Sequence, residues 1–207
     1  MRVTLLRHAE SLANAAPAPS CVHLRDCGCT PAGISQARAL PPRHWDVVVV
    51  SPLARTRATL AHAPFTWDRL VVCAELREIV SLPSDVLADD AELPPDGAPL
   101  ESAAALTARL TALSAVVSEH AAGSGDASVL IVGHADLFFA WTAQRGADGE
   151  LFGNWLDNAE LFELDAVPCS IVEARLTDAD VSDIVGAPAF QRVESCVHCS
   201  VTAPPDI

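Results

Sequence analysis

The segment MRVTLLRHAESLAN, residues 1–14, places an apolar run directly in front of an arginine and a histidine. Residues 3–6 form a short β-prone run, and Arg7 and His8 follow at its carboxyl end. A strand of this kind either ends in solvent or carries a charged group and an imidazole to one edge of a sheet. In open α/β folds, that edge is where ligands commonly bind.

A strand–loop–helix pattern occurs twice in this part of the chain. After the first strand, Thr30-Pro31 is typical of a helix N-cap and first helical position, and the residues up to Leu40 continue as a helix. Residues 46–50 are an apolar, β-branched run of the kind that is buried on both faces of a parallel sheet. Ser51-Pro52 is interpreted as another cap and first turn, leading into a second helix.

The remaining predicted elements continue this alternation. We expect a strand over residues 70–74, a helix over 100–121, a strand over 128–132, a helix from Ala135 and a half-exposed strand over 160–164 that pairs with 171–176. This order predicts an α/β fold: a single three-layer α/β/α domain with a mainly parallel sheet over residues 1–176. Residues 177–207 show no clear element, and we expect them to pack on this domain or trail from it.

Residues 81–99 form an acidic, proline-bearing segment with weak periodicity, which is typical of a loop or lid. No arginine lies between Arg77 and Arg109. The carboxylates of this segment are those of Asp85, Asp89, Asp90, Glu92 and Asp96.

The charged residues exclude several classes of function. All 13 Lys+Arg residues are arginines, so the chain has no P-loop lysine and no Schiff-base lysine. A formal net charge of −14 argues against a nucleic-acid partner, which needs a basic surface. The sequence shows neither a signal-peptide pattern nor an apolar stretch of membrane-spanning length, so we expect a cytoplasmic protein without a membrane partner.

Seven cysteines in a chain of 207 residues do not form an obvious disulfide framework, and we expect unpaired thiols in a reducing compartment. A structural zinc site is the alternative, but the first cluster lacks a two-residue Cys spacing and no pattern brings the two clusters together. We therefore predict no bound metal. The candidate ligands are Cys21, His23, Cys27 and Cys29 near the start and Cys196, His198 and Cys199 near the end.

Groups suited to binding phosphate follow three of the predicted parallel strands. Arg7 and His8 follow the first, residues 51–55 with Arg55 follow the second, and His134 follows the strand over 128–132. Because the carboxyl ends of parallel strands lie along one edge of a sheet, these side chains are expected to meet.

Five motifs in this order resemble those of the histidine phosphatase superfamily, which includes the cofactor-dependent phosphoglycerate mutases. LLRHAESLAN resembles the family's Leu-x-Arg-His-Gly-x-Thr-x-x-Asn opening, although Ala9 and Ser11 replace its usual glycine and threonine. The other four are TPAGISQA (residues 30–37), SPLARTRAT (51–59), LRE (76–78) and VGH (132–134). The resemblance implies a phosphoglycerate mutase-like fold and an enzyme that needs no metal or other cofactor.

Carried over by position, the resemblance implies that His8 is the nucleophile and that Glu78 is the proton donor. Arg7, Arg55 and His134 complete the phosphate pocket. Ser11 and Asn14 occupy family positions near the phosphate, with turn or cap hydrogen bonding as the alternative explanation. Two forked guanidiniums are suited to orient and stabilise a phosphoryl group.

The leading hypothesis is a phosphomonoester hydrolase that acts on a small phosphorylated substrate or a phosphoprotein. The alternatives are a mutase-type phosphotransferase, an inactive module that binds a phosphorylated ligand, and a zinc-binding regulatory protein. The chain has no tyrosine, whereas mutases of the family carry a Tyr-containing insertion after the acid motif. We expect the acidic segment 81–99 to border the mouth of the pocket and to repel ligands with several charges.

Overall fold

Seven β-strands occur in the parts of the chain that the computed structural model describes, residues 2–15, 25–87, 101–121, 127–164, 167–168 and 176–186. They are β1 (Arg2–Arg7), β2 (Arg43–Val50), β3 (Phe65–Val72), β4 (Ser128–Gly133), β5 (Gln144–Arg145), β6 (Leu151–Phe152) and β7 (Leu161–Leu164). Five of them form a sheet in the order β3-β2-β4-β1-β7, in which only β7 is antiparallel to its neighbour. The strands β5 and β6 pair with each other as a separate antiparallel hairpin.

Helices cover both faces of this sheet. They are α1 (Leu12–Ala15), α2 (Pro31–Arg38), α3 (Ala54–His62), α4 (Ala103–Ala121), α5 (Ala135–Thr142) and α6 (Asp178–Gly186). One core joins Val49 and other side chains on one face of the sheet to α4, α5 and α6. The other joins Val48 and other side chains on the opposite face to Leu60 of α3. This is the predicted three-layer α/β/α architecture. None of the described helices has the length and apolar character needed to cross a bilayer.

Most predicted elements are present, with shifted ends. The second strand begins at Arg43 and the third at Phe65, earlier than their apolar runs indicate. The strand β7 at 161–164 pairs antiparallel with β1. Its expected partner was the segment 171–176, but residues 171–175 lie outside the described residues. The hairpin and α6 were not predicted, and α6 adds Val181 and Ile184 to the core.

The interpretation of Ser51-Pro52 as a helix cap was wrong. Helix α3 begins at Ala54, and its N-cap residue is Leu53, which makes no side-chain cap bond. The backbone N–H of Ser51 still donates to Val132 O (3.0 Å), so the chain has not yet left the sheet at this residue. The first turn of α3 is capped instead by Asp26, whose Oδ1 accepts from Ala54 N (2.6 Å).

The loop after β1 is held against the start of α2. Thr30 Oγ1 accepts from Gly33 N (2.9 Å), as a capping threonine should, and donates to Glu10 Oε1 (2.6 Å). At Gly33 a Cβ atom would collide with the backbone carbonyl of Glu10. Glycine is therefore required by a close approach between two backbone segments.

Gly33→Ala is expected to lower the free energy of unfolding by about 1–3 kcal/mol, because the backbone at Glu10 must shift to admit the methyl group. Gly28→Ala is the matched control, since a Cβ at Gly28 meets no atom within 4 Å. Urea unfolding of both variants measures the difference. Equal stability of the two variants would contradict the close approach.

Candidate active site

The carboxyl ends of β1, β2 and β4 bring together the residues that follow them. His8 N donates to Gly133 O (3.0 Å), which places the residue after β1 beside the end of β4. The rings of His8 and His134 have centroids 5.2 Å apart and are inclined by 57°. His8, Ser51, Arg55 and His134 are all buried. The parallel sheet thus gathers residues that are widely separated in the chain into one site.

The hydrogen bond of His8 defines which ring nitrogen is free. Its Nδ1 lies 2.8 Å from Ala9 O, and because a carbonyl oxygen only accepts, Nδ1 carries the proton. Burial holds the pKa of His8 well below its ordinary value, and the nearby charges of Arg55 and Arg7 lower it further. The ring is therefore neutral at physiological pH, with an unprotonated Nε2.

Three groups hold the guanidinium of Arg55. Its Nε donates to His134 Nδ1 (3.3 Å), and its NH1 donates to Ser84 O (2.6 Å). Its NH2 forms an ion pair with Asp85 Oδ1 at 2.8 Å. Because His134 Nδ1 accepts, the proton of that ring lies on Nε2, which donates to Ser51 Oγ (2.9 Å). Burial and the charge of Arg55 lower the pKa of His134 well below its ordinary value.

Arg7 is the second cation of the site. Its NH1 donates to Leu156 O (2.8 Å), whereas its buried Nε has no hydrogen-bond partner within the described structure. A buried N–H of a charged group that lacks a partner carries an energetic penalty, which an anionic oxygen can remove.

Glu78 is almost fully buried between the first turn of α5 and its own backbone. Its Oε1 accepts from Ile79 N and Leu137 N, both at 3.0 Å. Burial raises the pKa of Glu78 to about 7, the charge of Asp85 adds to this effect, and Arg55 opposes it. The carboxyl group can therefore hold or release a proton near neutral pH, as a general acid and base must.

The sequence did not indicate that Asp136 belongs to the site or that Asp85 is buried in it. Asp136 lies in the first turn of α5, and burial, together with the charges of Glu78 and Asp85, raises its pKa to about 9. Its position two residues after His134 is a signal that could have been used. Asp85 was expected at the mouth of the pocket, but it is buried against Arg55. The other acidic residues of that segment, from Asp89 to Asp96, lie outside the described residues.

Ser11 and Asn14 form a small cap after His8. Ser11 N and Oγ donate to Asn14 Oδ1 (3.1 and 2.9 Å), and Asn14 N donates to Ser11 Oγ (3.3 Å). Asn158 Nδ2 connects this cap to the site, because it donates to both Asn14 Oδ1 (3.3 Å) and His8 O (2.9 Å). The capping role considered for Ser11 and Asn14 is thus present in the structure.

The one group of possible metal ligands within the described residues lies away from this site. It consists of His44 and Asp46 near the start of β2 and Asp68 on β3, whereas Ser51 follows the opposite end of β2. Of the cysteines considered for zinc, Cys27 and Cys29 are free. The remaining candidates, Cys21, His23, Cys196, His198 and Cys199, lie outside the described residues.

Comparison with known proteins supports the expected resemblance over the first part of the chain. Residues 3–82 match the model of the histidine phosphatase superfamily (branch 1). No curated protein sequence matches the chain. The crystal structure of the alpha-ribazole phosphatase from Shigella flexneri has 20% sequence identity, covering 80% of this chain and 90% of that chain, with a TM-score of 0.53.

Two further solved structures are similar. The protein of an open reading frame of Mycobacterium tuberculosis has 20% identity, covering 78% of this chain and 89% of that chain, with a TM-score of 0.51. A point mutant of a Thermus thermophilus protein has 24% identity, covering 80% of this chain and 93% of that chain, with a TM-score of 0.50. At these identities the similarity shows the fold, and it agrees with the predicted phosphoglycerate mutase-like α/β architecture.

Proposed function

We propose that this relative of the histidine phosphatase superfamily hydrolyses phosphomonoesters through a phosphohistidine intermediate on His8. The observation that supports this most directly is the tautomer of His8. The bond from Nδ1–H to Ala9 O leaves Nε2 with a free lone pair on a buried ring whose electrostatic environment includes Arg55 and Arg7. Two guanidiniums are suited to bind the anion that such a nucleophile attacks.

In the first half-reaction, Arg7 and Arg55 bind the non-bridging oxygens, and the unpaired Nε of Arg7 is one available donor. His134 is proposed to join them by turning its Nε2–H from Ser51 Oγ to a phosphate oxygen when the substrate binds. Ser11 and Asn14, which follow His8 in the loop after β1, are proposed to add polar contacts to the phosphate. His8 Nε2 attacks phosphorus and forms a P–N bond, while the ester P–O bond breaks. Glu78 donates its proton to the leaving oxygen, so an alcohol departs.

In the second half-reaction, water attacks the phosphohistidine. The Glu78 carboxylate takes one proton from the water, the P–N bond breaks, and inorganic phosphate leaves. His8 returns to its neutral form and Glu78 to its protonated form, so the cycle closes. The pKa of about 7 for Glu78 suits both roles, because donation and acceptance then differ little in driving force at neutral pH.

The substrate is proposed to be a small phosphorylated molecule or a phosphoprotein. The test is a phosphate-release screen with phosphorylated metabolites and phosphopeptides, first without added metal and then with a chelator. We expect release that the chelator does not change. Loss of activity with chelator would contradict a reaction carried by arginines alone, and phosphate binding without release would favour the inactive binding module.

A second assay of the same purified protein distinguishes a mutase from a hydrolase. Transfer between the hydroxyl groups of phosphoglycerate in the presence of 2,3-bisphosphoglycerate, faster than phosphate release, would replace the hydrolase assignment by the mutase alternative.

A further inference from the structure

Asp85 connects the turn after the acid motif to the phosphate-binding arginine. Its Oδ1 pairs with Arg55 NH2 at 2.8 Å, and only 4% of the Arg55 side chain and 7% of the Asp85 side chain are exposed. Its Oδ2 accepts from Leu82 N (2.9 Å) and from Ser81 N and Oγ (both 3.2 Å). Both carboxylate oxygens therefore have defined partners, so the group has little freedom to move.

This contact restricts Arg55 without exhausting its donors. A guanidinium has five N–H groups, and in Arg55 one each goes to His134, Ser84 and Asp85. Two N–H groups remain for an anion. Because the guanidinium is planar and rigid, fixing three of its donors also fixes the direction of the other two.

We propose that Asp85 is a positioning residue for the reaction: it orients the guanidinium of Arg55 in the phosphate pocket and, held by this ion pair, supplies a fixed negative charge that acts on Glu78. The proposal rests on the proposed function. It assigns a role to a residue that the sequence placed in an exposed acidic loop.

The electrostatic part of the role follows from the groups around Glu78. The charge of Asp85 adds to burial in raising the pKa of Glu78, while Arg55 opposes it; Arg7 and Asp136 also interact with this carboxyl. Asp85→Asn removes the negative charge and leaves the charge of Arg55 without its ion-pair partner. Both changes favour the Glu78 carboxylate, so the pKa of Glu78 must fall.

Asp85→Asn tests the charge, because asparagine keeps an oxygen that Arg55 NH2 can reach. We expect the alkaline limb of the kcat/KM profile to move to lower pH by roughly one unit with a substrate that has a poor leaving group. Asp183→Asn, on the exposed face of α6, is the matched control and should leave the limb unchanged. An unmoved limb in Asp85→Asn would overturn the electrostatic role.

Asp85→Glu tests the geometry and remains informative if Asp85→Asn does not fold. It keeps the charge but displaces the carboxylate by one methylene group, so the alkaline limb should stay close to that of the wild type. Calorimetry with inorganic phosphate should show binding weakened by about tenfold, since the guanidinium is no longer aligned. Unchanged phosphate affinity, equal to that of the Asp183→Glu control, would overturn the positioning role.

The outcomes separate this proposal from the proposed function. A wild-type protein that binds phosphate but hydrolyses no phosphomonoester contradicts the function alone, and the affinity of Asp85→Glu then still decides the role of Asp85. Normal hydrolysis with an unmoved limb and unchanged affinity contradicts the role of Asp85 alone. Absence of both phosphate binding and hydrolysis in the wild type contradicts both.

Discussion

Replacing His8 with alanine is expected to lower kcat/KM by about 10⁴-fold or more, because the variant has no nucleophile for the first displacement. Water would have to attack the phosphoryl group directly. The arginines and Glu78 remain in place, so binding of inorganic phosphate should persist. Steady-state kinetics together with phosphate calorimetry distinguish a lost nucleophile from a lost pocket.

The control for His8→Ala is His44→Ala, which removes an exposed imidazole at the far end of β2. Circular dichroism should show both variants folded. Rapid-quench labelling of the wild type should place an acid-labile phosphate on His8. Phosphate on another residue, or a kcat/KM in His8→Ala close to that of the wild type, would contradict a phosphohistidine intermediate on His8.

Replacing Glu78 with glutamine is expected to cost roughly a hundredfold or more with an alkyl phosphate and much less with an activated aryl phosphate. The alkyl leaving group needs a proton from Glu78, whereas an aryl oxygen leaves readily as an anion. Glutamine keeps an Oε1 that can accept from Ile79 N and Leu137 N, so the site should stay assembled. Parallel kinetics with both substrates measure the difference.

Glu75→Gln is the matched control. Glu75 lies in the short turn just before the acid motif, and its side chain accepts from Cys73 Sγ and makes no hydrogen bond to Glu78 or its partners. Equal losses with both substrates would point to a binding role for Glu78. Asp136 is the alternative proton donor, because its pKa is also raised. It would take this role if kcat/KM fell more with the alkyl than with the aryl phosphate in Asp136→Asn but not in Glu78→Gln.

The shifted pKa of Glu78 also predicts how stability depends on pH. The folded protein raises this pKa from 4.5 to about 7, so the folded state binds the proton more tightly than the unfolded state. The resulting stabilisation is present below pH 4.5 and is lost as pH rises through about 7. The Glu78→Gln variant has no titrating carboxyl group at this position, so its stability does not lose this contribution as pH rises. Relative to the variant, the wild-type free energy of unfolding should therefore fall between about pH 5 and 8 in urea titrations, and parallel curves would contradict the shift.

Much of the fold could be predicted because its signals are local. The Val47–Val50 run indicates a strand buried on both faces, and it lies in the centre of the sheet between β3 and β4. Thr30-Pro31 predicts a helix start, and Thr30 Oγ1 indeed accepts from Gly33 N. Weak or very short elements escaped prediction, namely the hairpin β5–β6 and the helix α6, since their stability comes from packing on the core.

The sequence by itself determined the fold class, because the apolar strand runs and their alternation with helices are readable along the chain. Only the tertiary structure decided the electrostatics of the candidate site. The acidic segment carries no local signal that singles out Asp85, yet a contact across 30 residues buries it against Arg55. Ser51 matches the local pattern of a helix cap, whereas the assembled sheet places it beside His134. Burial and the distances between charged groups set the pKa values of His8 and Glu78. Both depend on which distant residues meet, so they arise only when the sheet assembles.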